Sequence, residues 1–190
     1  MNATAVPADS NARPNALRVF YAIWPDALAR ERIAQIAAEI ARMGGGRAIA
    51  ACNLHVTLAF IGAVPTHRLD ALRDAGAVAT RGIDAIDVSL ERLGGAHNGE
   101  LAWLAPTSVP PALVELHAKL DAALEARGFA TERREFRPHV TLARRCARRI
   151  HHAPIDPIAW RVSALTLMAS TTGREGSEYR ELGGWPLEGS

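Results

Sequence analysis

Two stretches of the chain carry the same five residues: residues 55–59 and residues 139–143 both read His-Val-Thr-Leu-Ala, 84 positions apart. Identical pentapeptides of this kind are a sign of internal repetition, and their content is chemical as well as structural. In an extended strand, residues i and i+2 share a face. His55 and Thr57 should therefore project together, with Val56 and Leu58 on the opposite face, and His139 and Thr141 should do the same against Val140 and Leu142. If two similar lobes related by a pseudo-two-fold axis bring these strands together across a cleft, the site between them holds two imidazoles and two hydroxyls. That set suits in-line displacement at phosphorus, where a base is needed at one apex and an acid at the other. An imidazole with an ordinary pKa of about 6.5 can play either part near neutral pH. The hydroxyls of Thr57 and Thr141 can donate to the non-bridging oxygens, where negative charge must be held. Such a site requires no metal and no cofactor.

Other chemistry has weaker support. A zinc site needs a third protein ligand, and Cys52, Cys146, His151 and His152 offer no standard ligand spacing. Neither cysteine has a context that marks it as a nucleophile. Of the remaining histidines, His67, His97 and His117 occur singly, and His117 falls near the apolar stripe of a helix, as a core or boundary residue would. The plain alternative for each motif is a satisfied polar pair on a sheet surface, which accounts well for one such motif and poorly for two identical ones.

The elements that must position these residues are visible in the pattern. Leu17 to Ile23 is an apolar, β-branched and aromatic run closed by Trp24-Pro25, and it reads as a buried strand. Asp26 can cap a helix carrying Leu28 or Ala29, Ile33, Ile36, Ala37 and Ile40 at helical spacing, stopped by Gly44-Gly45-Gly46. A strand is predicted near 53–61, then a weaker amphipathic segment with Leu69, Leu72 and Val78, interrupted by Gly76. Residues 86–93 and 101–104 form a predicted hairpin. The helix from about 110 to 127 has Leu113, Leu116, Leu120 and Leu124 on one stripe and Gly128 beyond its end. A strand near 138–143, a basic stretch with Arg144, Arg145, Arg148 and Arg149, and a β-rich run over 158–170 follow. The tail, 178–187, should pack back on the body through Tyr179, Leu182 and Trp185. Strand-helix-strand-strand thus recurs about twice, which predicts an α+β fold with antiparallel or mixed sheets and not a doubly wound parallel one.

Composition sets the bounds. The chain has 190 residues, 48% of them hydrophobic and 22% charged, enough core-forming residues for one or two compact domains. Its formal charge of +2 is too small for a general polyanion binder, so any nucleic-acid contact should be local. All of the cationic side chains except Lys119 are arginine, a bias that could serve phosphate recognition or simply reflect amino-acid usage. Two cysteines without a framework suggest a reducing cytoplasm. Residues 1–16 lack a signal-peptide pattern and read as a disordered tail, and no apolar run is long enough to span a bilayer, which argues against a membrane protein.

At the repeated motifs the sequence resembles the two-histidine phosphoesterase superfamily, whose signature is two His-x-Thr/Ser motifs, one per lobe. More narrowly it is similar to the bacterial RNA 2',3'-cyclic phosphodiesterases, also called 2'-5' RNA ligases. The residues that carry the likeness are 18–25 (RVFYAIWP), 53–62 (NLHVTLAFIG), 136–144 (FRPHVTLAR), Tyr179 and 185–187 (WPL). The resemblance implies one bilobal α+β domain over 17–190, with two pseudo-symmetric lobes, each an antiparallel or mixed sheet flanked by helices, and a cleft between them. It implies hydrolysis of an RNA-terminal 2',3'-cyclic phosphate to a 2'-phosphate, with His55 as proton donor to the 3'-oxygen and His139 as proton acceptor from water. Thr57, Thr141 and Arg144 would bind the phosphate, although strict alternation puts Arg144 on the wrong face, so a twist or strand end is expected there. The implied partners are RNA 3' ends or small 2',3'-cyclic nucleotides, with no membrane and no obligate protein partner. A module that captures RNA ends without turnover, and 2'-5' ligation in the same site, are the alternatives.

Overall fold

A computed structural model describes residues 16–96, 100–131, 134–173 and 176–189. The tail expected over 1–16 lies outside these residues except for Ala16, which opens the first strand, and His97 also lies outside them. In chain order the elements are β1 (Ala16–Ile23), α1 (Ala27–Gly44), β2 (Arg47–Ala48), a 3-10 turn (Ala51–Asn53), β3 (Val56–Pro65), α2 (Leu69–Ala79), β4 (Ile86–Gly95), β5 (Leu101–Ala105), α3 (Pro111–Glu125), β6 (Val140–Arg144), β7 (Ala153–Val162), β8 (Ala164–Gly173) and β9 (Gly176–Pro186). The nine strands form one antiparallel sheet in the order β7-β4-β5-β6-β3-β1-β8-β9, with β2 paired to β6. This is the α+β architecture the pattern predicts.

The two motif strands, β3 and β6, are neighbours at the centre of the sheet, joined through a single residue pair, Val56 with Val140. They define two four-stranded halves, β3-β1-β8-β9 and β6-β5-β4-β7. The unit strand-helix-motif strand occurs twice, as β1-α1-β3 and as β5-α3-β6. The outer strands are exchanged between halves: β4 follows the first unit in sequence but pairs with β5, and β8 follows the second but pairs with β1. The halves are therefore interleaved along the chain, not successive in it. The β-rich run over 158–170 is likewise divided. Val162 ends β7 in one half, Ala164 begins β8 in the other, and Ser163 alone lies between them.

Each motif anchors its strand through its apolar residues. Val56, Leu58, Val140 and Leu142 are all buried in the core, each stabilising the fold by about 1.5–3 kcal/mol relative to exposure. On α1, Asp26 accepts a hydrogen bond from the Ala29 amide at 2.8 Å. Ala29 is the buried residue there, whereas Leu28 is 77% exposed. Gly45, at φ +65°, ends the helix in the left-handed region that favours glycine. On α2 the buried stripe runs Leu69, Leu72, Ala75, Gly76 and Ala79, and Val78 falls on the outer side instead. Gly76 is no interruption: the Trp185 ring lies where its Cβ would be, so the glycine lets β9 close against α2. The leucine stripe of α3 is buried as the spacing predicts. Among the described residues no helix is long and apolar enough to cross a membrane.

Candidate active site

His55 and His139 stand one residue before their strands, not inside them. That position lets each ring turn back on its own chain. His55 Nδ1 lies 2.7 Å from the carbonyl of Asn53, and His139 Nδ1 lies 2.9 Å from the carbonyl of Arg137. A carbonyl can only accept, so Nδ1 carries the proton in both rings, and Nε2 is the nitrogen left for chemistry. The two copies thus share one lock, the carbonyl two residues upstream. In the first copy Nε2 lies 3.1 Å from Thr57 Oγ1, so imidazole and hydroxyl share a face as the spacing requires. The upstream segment of that copy is itself tied down, with Asn53 Nδ2 donating to the Ser177 carbonyl at 2.7 Å.

Arg144 reaches the same region by a device that strict alternation does not allow. Across β5–β6, Trp103 pairs with Thr141 and Ala102 with Ala143, which leaves Leu142 as an extra residue, a β-bulge. Leu142 and Ala143 are consecutively buried and Arg144 is exposed, so the bulge returns Arg144 to the outward side used by Thr141. The first copy is bulged at the equivalent Leu58, since Tyr21 pairs with Ala59 and Ala22 with Thr57. There the sixth residue is Phe60, 44% exposed.

The surroundings of the two rings differ. His55 is half-buried among Phe20, Trp24 and Tyr179, with ring centroids 5.1, 5.1 and 5.4 Å away. Trp24 is fixed by donating Nε1–H to Thr166 Oγ1 at 2.7 Å. Burial in this cage is the main cause that lowers the His55 pKa below its ordinary value. The Asn53 carbonyl opposes the shift, and the positive charges of Arg144 and His139 add to it, which puts both groups within electrostatic reach of His55. His139, in contrast, is exposed.

Where β3 and β6 part, a cavity of about 1120 Å³ opens beside them, with Thr57, Phe60, Trp103, His117, Phe136 and His139 on its walls. Trp103 lies against Gly94, whose missing side chain leaves the space for the indole, and His152 meets it edge-on at 5.5 Å. His117 is stacked on Phe136 at 4.0 Å and lies 3.6 Å from the Asp121 carboxylate, so it is a wall residue and not only part of the α3 core. Other candidates stay apart. Cys52 is exposed, Cys146 is buried and burial raises its thiol pKa, and His67 is exposed on a short 3-10 turn. Among the described residues no three His, Cys, Asp or Glu side chains converge into a group that could hold a metal ion. Phe20, Trp24 and Tyr179 belong to the stretches that carry the family likeness, but their convergence around His55 has no sign in the motifs.

The model of the 2'-5' RNA ligase superfamily matches residues 24–174. The chain belongs to that superfamily. It is 31% identical over 172 residues to the RNA 2',3'-cyclic phosphodiesterase of Escherichia coli K12, covering 90% of this chain and 96% of that one. Among solved structures, E. coli LigT complexed with 3'-AMP superposes with a TM-score of 0.80 at 30% identity, covering 92% of this chain and 99% of LigT. A crystal structure described as a phosphoesterase matches with a TM-score of 0.81 at 30% identity, covering 91% and 99%. This superfamily member shares that fold over about nine-tenths of its chain.

Proposed function

We propose that this protein hydrolyses the 2',3'-cyclic phosphate at RNA 3' ends to a 2'-phosphomonoester, using paired histidines. Water attacks phosphorus in line with the 3'-oxygen. His139 Nε2 takes the proton from water as the new P–O bond forms, and His55 Nε2–H gives its proton to the 3'-oxygen as that P–O bond breaks. Each ring ends in the other's starting state, and proton exchange with solvent resets them. Thr57, Thr141 and Arg144 hold the non-bridging oxygens, where donors placed for developing charge have their largest effect.

The observation that carries the reading is the matched pair of locks: each Nδ1–H is held by the carbonyl two residues upstream, which leaves both Nε2 atoms for chemistry, that of His55 beside Thr57 Oγ1, on two strands that pair at Val56 and Val140. The lowered pKa of His55 makes it a readier acid once protonated, and the anionic phosphodiester on arrival favours that protonated form. Ligation through a 2'-5' linkage would break the same P–O3' bond in the same site, with an RNA 5'-hydroxyl as nucleophile in place of water, and bulk water favours hydrolysis.

The test is incubation with an oligoribonucleotide ending in a 2',3'-cyclic phosphate in the presence of a chelator, with the product read by phosphorus NMR. A terminal 2'-phosphate is expected. No turnover, turnover abolished by the chelator, or a 3'-phosphate product would overturn the mechanism.

A further inference from the structure

The arginines after the second motif are seated, not scattered. Beyond Arg144 the chain enters the left-handed region at Arg145, φ +56°, whose amide donates to the Glu100 carbonyl at 2.7 Å. It then packs down on the glycine triplet that closes α1. Cys146 and Ile150 are both buried. A Cβ on Gly46 would lie 2.8 Å from Cys146 Sγ and 2.9 Å from the Arg144 carbonyl, and one on Gly44 would lie 3.0 Å from Ile150 Cδ1. The Arg148 amide donates to the Gly44 carbonyl at 3.0 Å. Only glycines let the loop sit this low, and the seat fixes its backbone while leaving Arg145, Arg148 and Arg149 exposed. Arg47, nearly a hundred residues earlier, joins them by pairing with Arg144 across β2–β6. Among the described residues none of these four arginines pairs with an acidic side chain.

We infer that this rim, Arg47, Arg145, Arg148 and Arg149, binds the phosphates of the RNA strand on the 5' side of its cyclic end. The inference rests on the reading of the site as one that takes an RNA-terminal cyclic phosphate. Arg144 links the two regions, since its charge reaches His55 while its backbone pairs with Arg47. The cavity beyond Thr57 and His139 is walled by Phe60, Trp103 and Phe136, surfaces that suit a terminal nucleoside. The loop beyond Arg144 offers exposed guanidinium groups, whose planar forks suit successive phosphates. A strand with its last nucleoside in the cavity and its cyclic phosphate at the histidines then leaves over the arginines. The substrate class is therefore an RNA chain in preference to a mononucleotide, and the small net charge of the whole molecule is compatible with it because the positive charge is local.

The test compares the wild type with the double variant Arg148→Ala/Arg149→Ala on a 2',3'-cyclic mononucleotide and on a ten-nucleotide RNA with the same end. The expected result is a mononucleotide kcat/KM within about twofold of wild type, and an oligonucleotide kcat/KM lowered roughly tenfold at low salt. The slope of log KM against log salt for the oligonucleotide should become shallower by about 1.4, for two lost contacts on a single strand. An equal loss on both substrates, or no loss on the longer one, would overturn the rim. In parallel, fluorescence anisotropy gives the Kd for the same RNA bearing a 3'-phosphate. A Kd raised in the double variant supports the rim even if neither substrate is turned over, in which case the catalytic reading fails and the rim stands; an unchanged Kd overturns the rim.

Discussion

The first and second copies of His-Val-Thr-Leu-Ala are identical in sequence and alike in backbone, yet they build unlike halves of a site. Both hold Nδ1 on the carbonyl two residues upstream, and both are bulged at the leucine. The differences come from what lies outside the pentapeptide. The first ring sits in a cage of Phe20, Trp24 and Tyr179 and its sixth residue is Phe60. The second ring is exposed and its sixth residue is Arg144. Under the proposed hydrolysis, repetition would supply two equal proton carriers and the neighbours would make them unequal, which is what a reaction needing one acid and one base requires.

The largest expected effect comes from removing either carrier. His55→Ala and His139→Ala should each lower kcat on a 2',3'-cyclic substrate by about 10²–10⁴, with unchanged circular dichroism, since neither ring belongs to the buried core. A variant that keeps full activity would show that its copy is decorative. Next in size, Thr57→Val and Thr141→Val should each cost about 10² in kcat as one donor to the developing charge is lost; a purely structural threonine would change stability and leave kcat alone. Making the copies more alike with Arg144→Phe should raise KM about 10–100-fold, the equivalent of one charge-assisted hydrogen bond of about 1.5–3 kcal/mol, and steady-state kinetics will show whether kcat follows. The smallest effect should be the most specific. Tyr179→Ala admits water to His55, which relieves the burial that lowers its pKa. The His55 titration followed by NMR should then move to higher pH, toward the ordinary value near 6.5, and a shift in the other direction would mean that the cage does not act by desolvation.

How much of this was readable without coordinates follows from how local each feature is. The leucine stripe of α3, the Asp26 cap and the glycine stop after α1 depend on residues a few positions apart, and pattern reading finds them. The histidines and threonines were legible because the repeat is short and its chemistry unusual. Arg144 looked misplaced because its facing depends on the bulge at Leu142, which is a property of pairing with β5 and has no marker in the strand itself. The cage around His55 joins Trp24 to Thr166 and Tyr179 to Phe20, contacts between distant parts of the chain. The interleaving of the halves was hidden for the same reason: only pairing partners reveal that β4 and β8 cross over, and that Ser163 divides an apparently continuous run. The glycine triplet shows the limit from the other side: its position marks the stop of α1, while its second task, seating the arginine loop, has no local sign.

The central claim is that the two equal-looking histidines transfer protons in opposite senses, and one comparison tests it most directly. The His55→Ala and His139→Ala variants are assayed on a 2',3'-cyclic substrate and on its analogue with sulfur in place of the bridging 3'-oxygen, whose thiolate leaves without being protonated. If His55 is the acid, the sulfur analogue restores much of the activity of His55→Ala and none of that of His139→Ala. Rescue of His139→Ala instead, or equal loss in both variants on both substrates, would contradict the assignment.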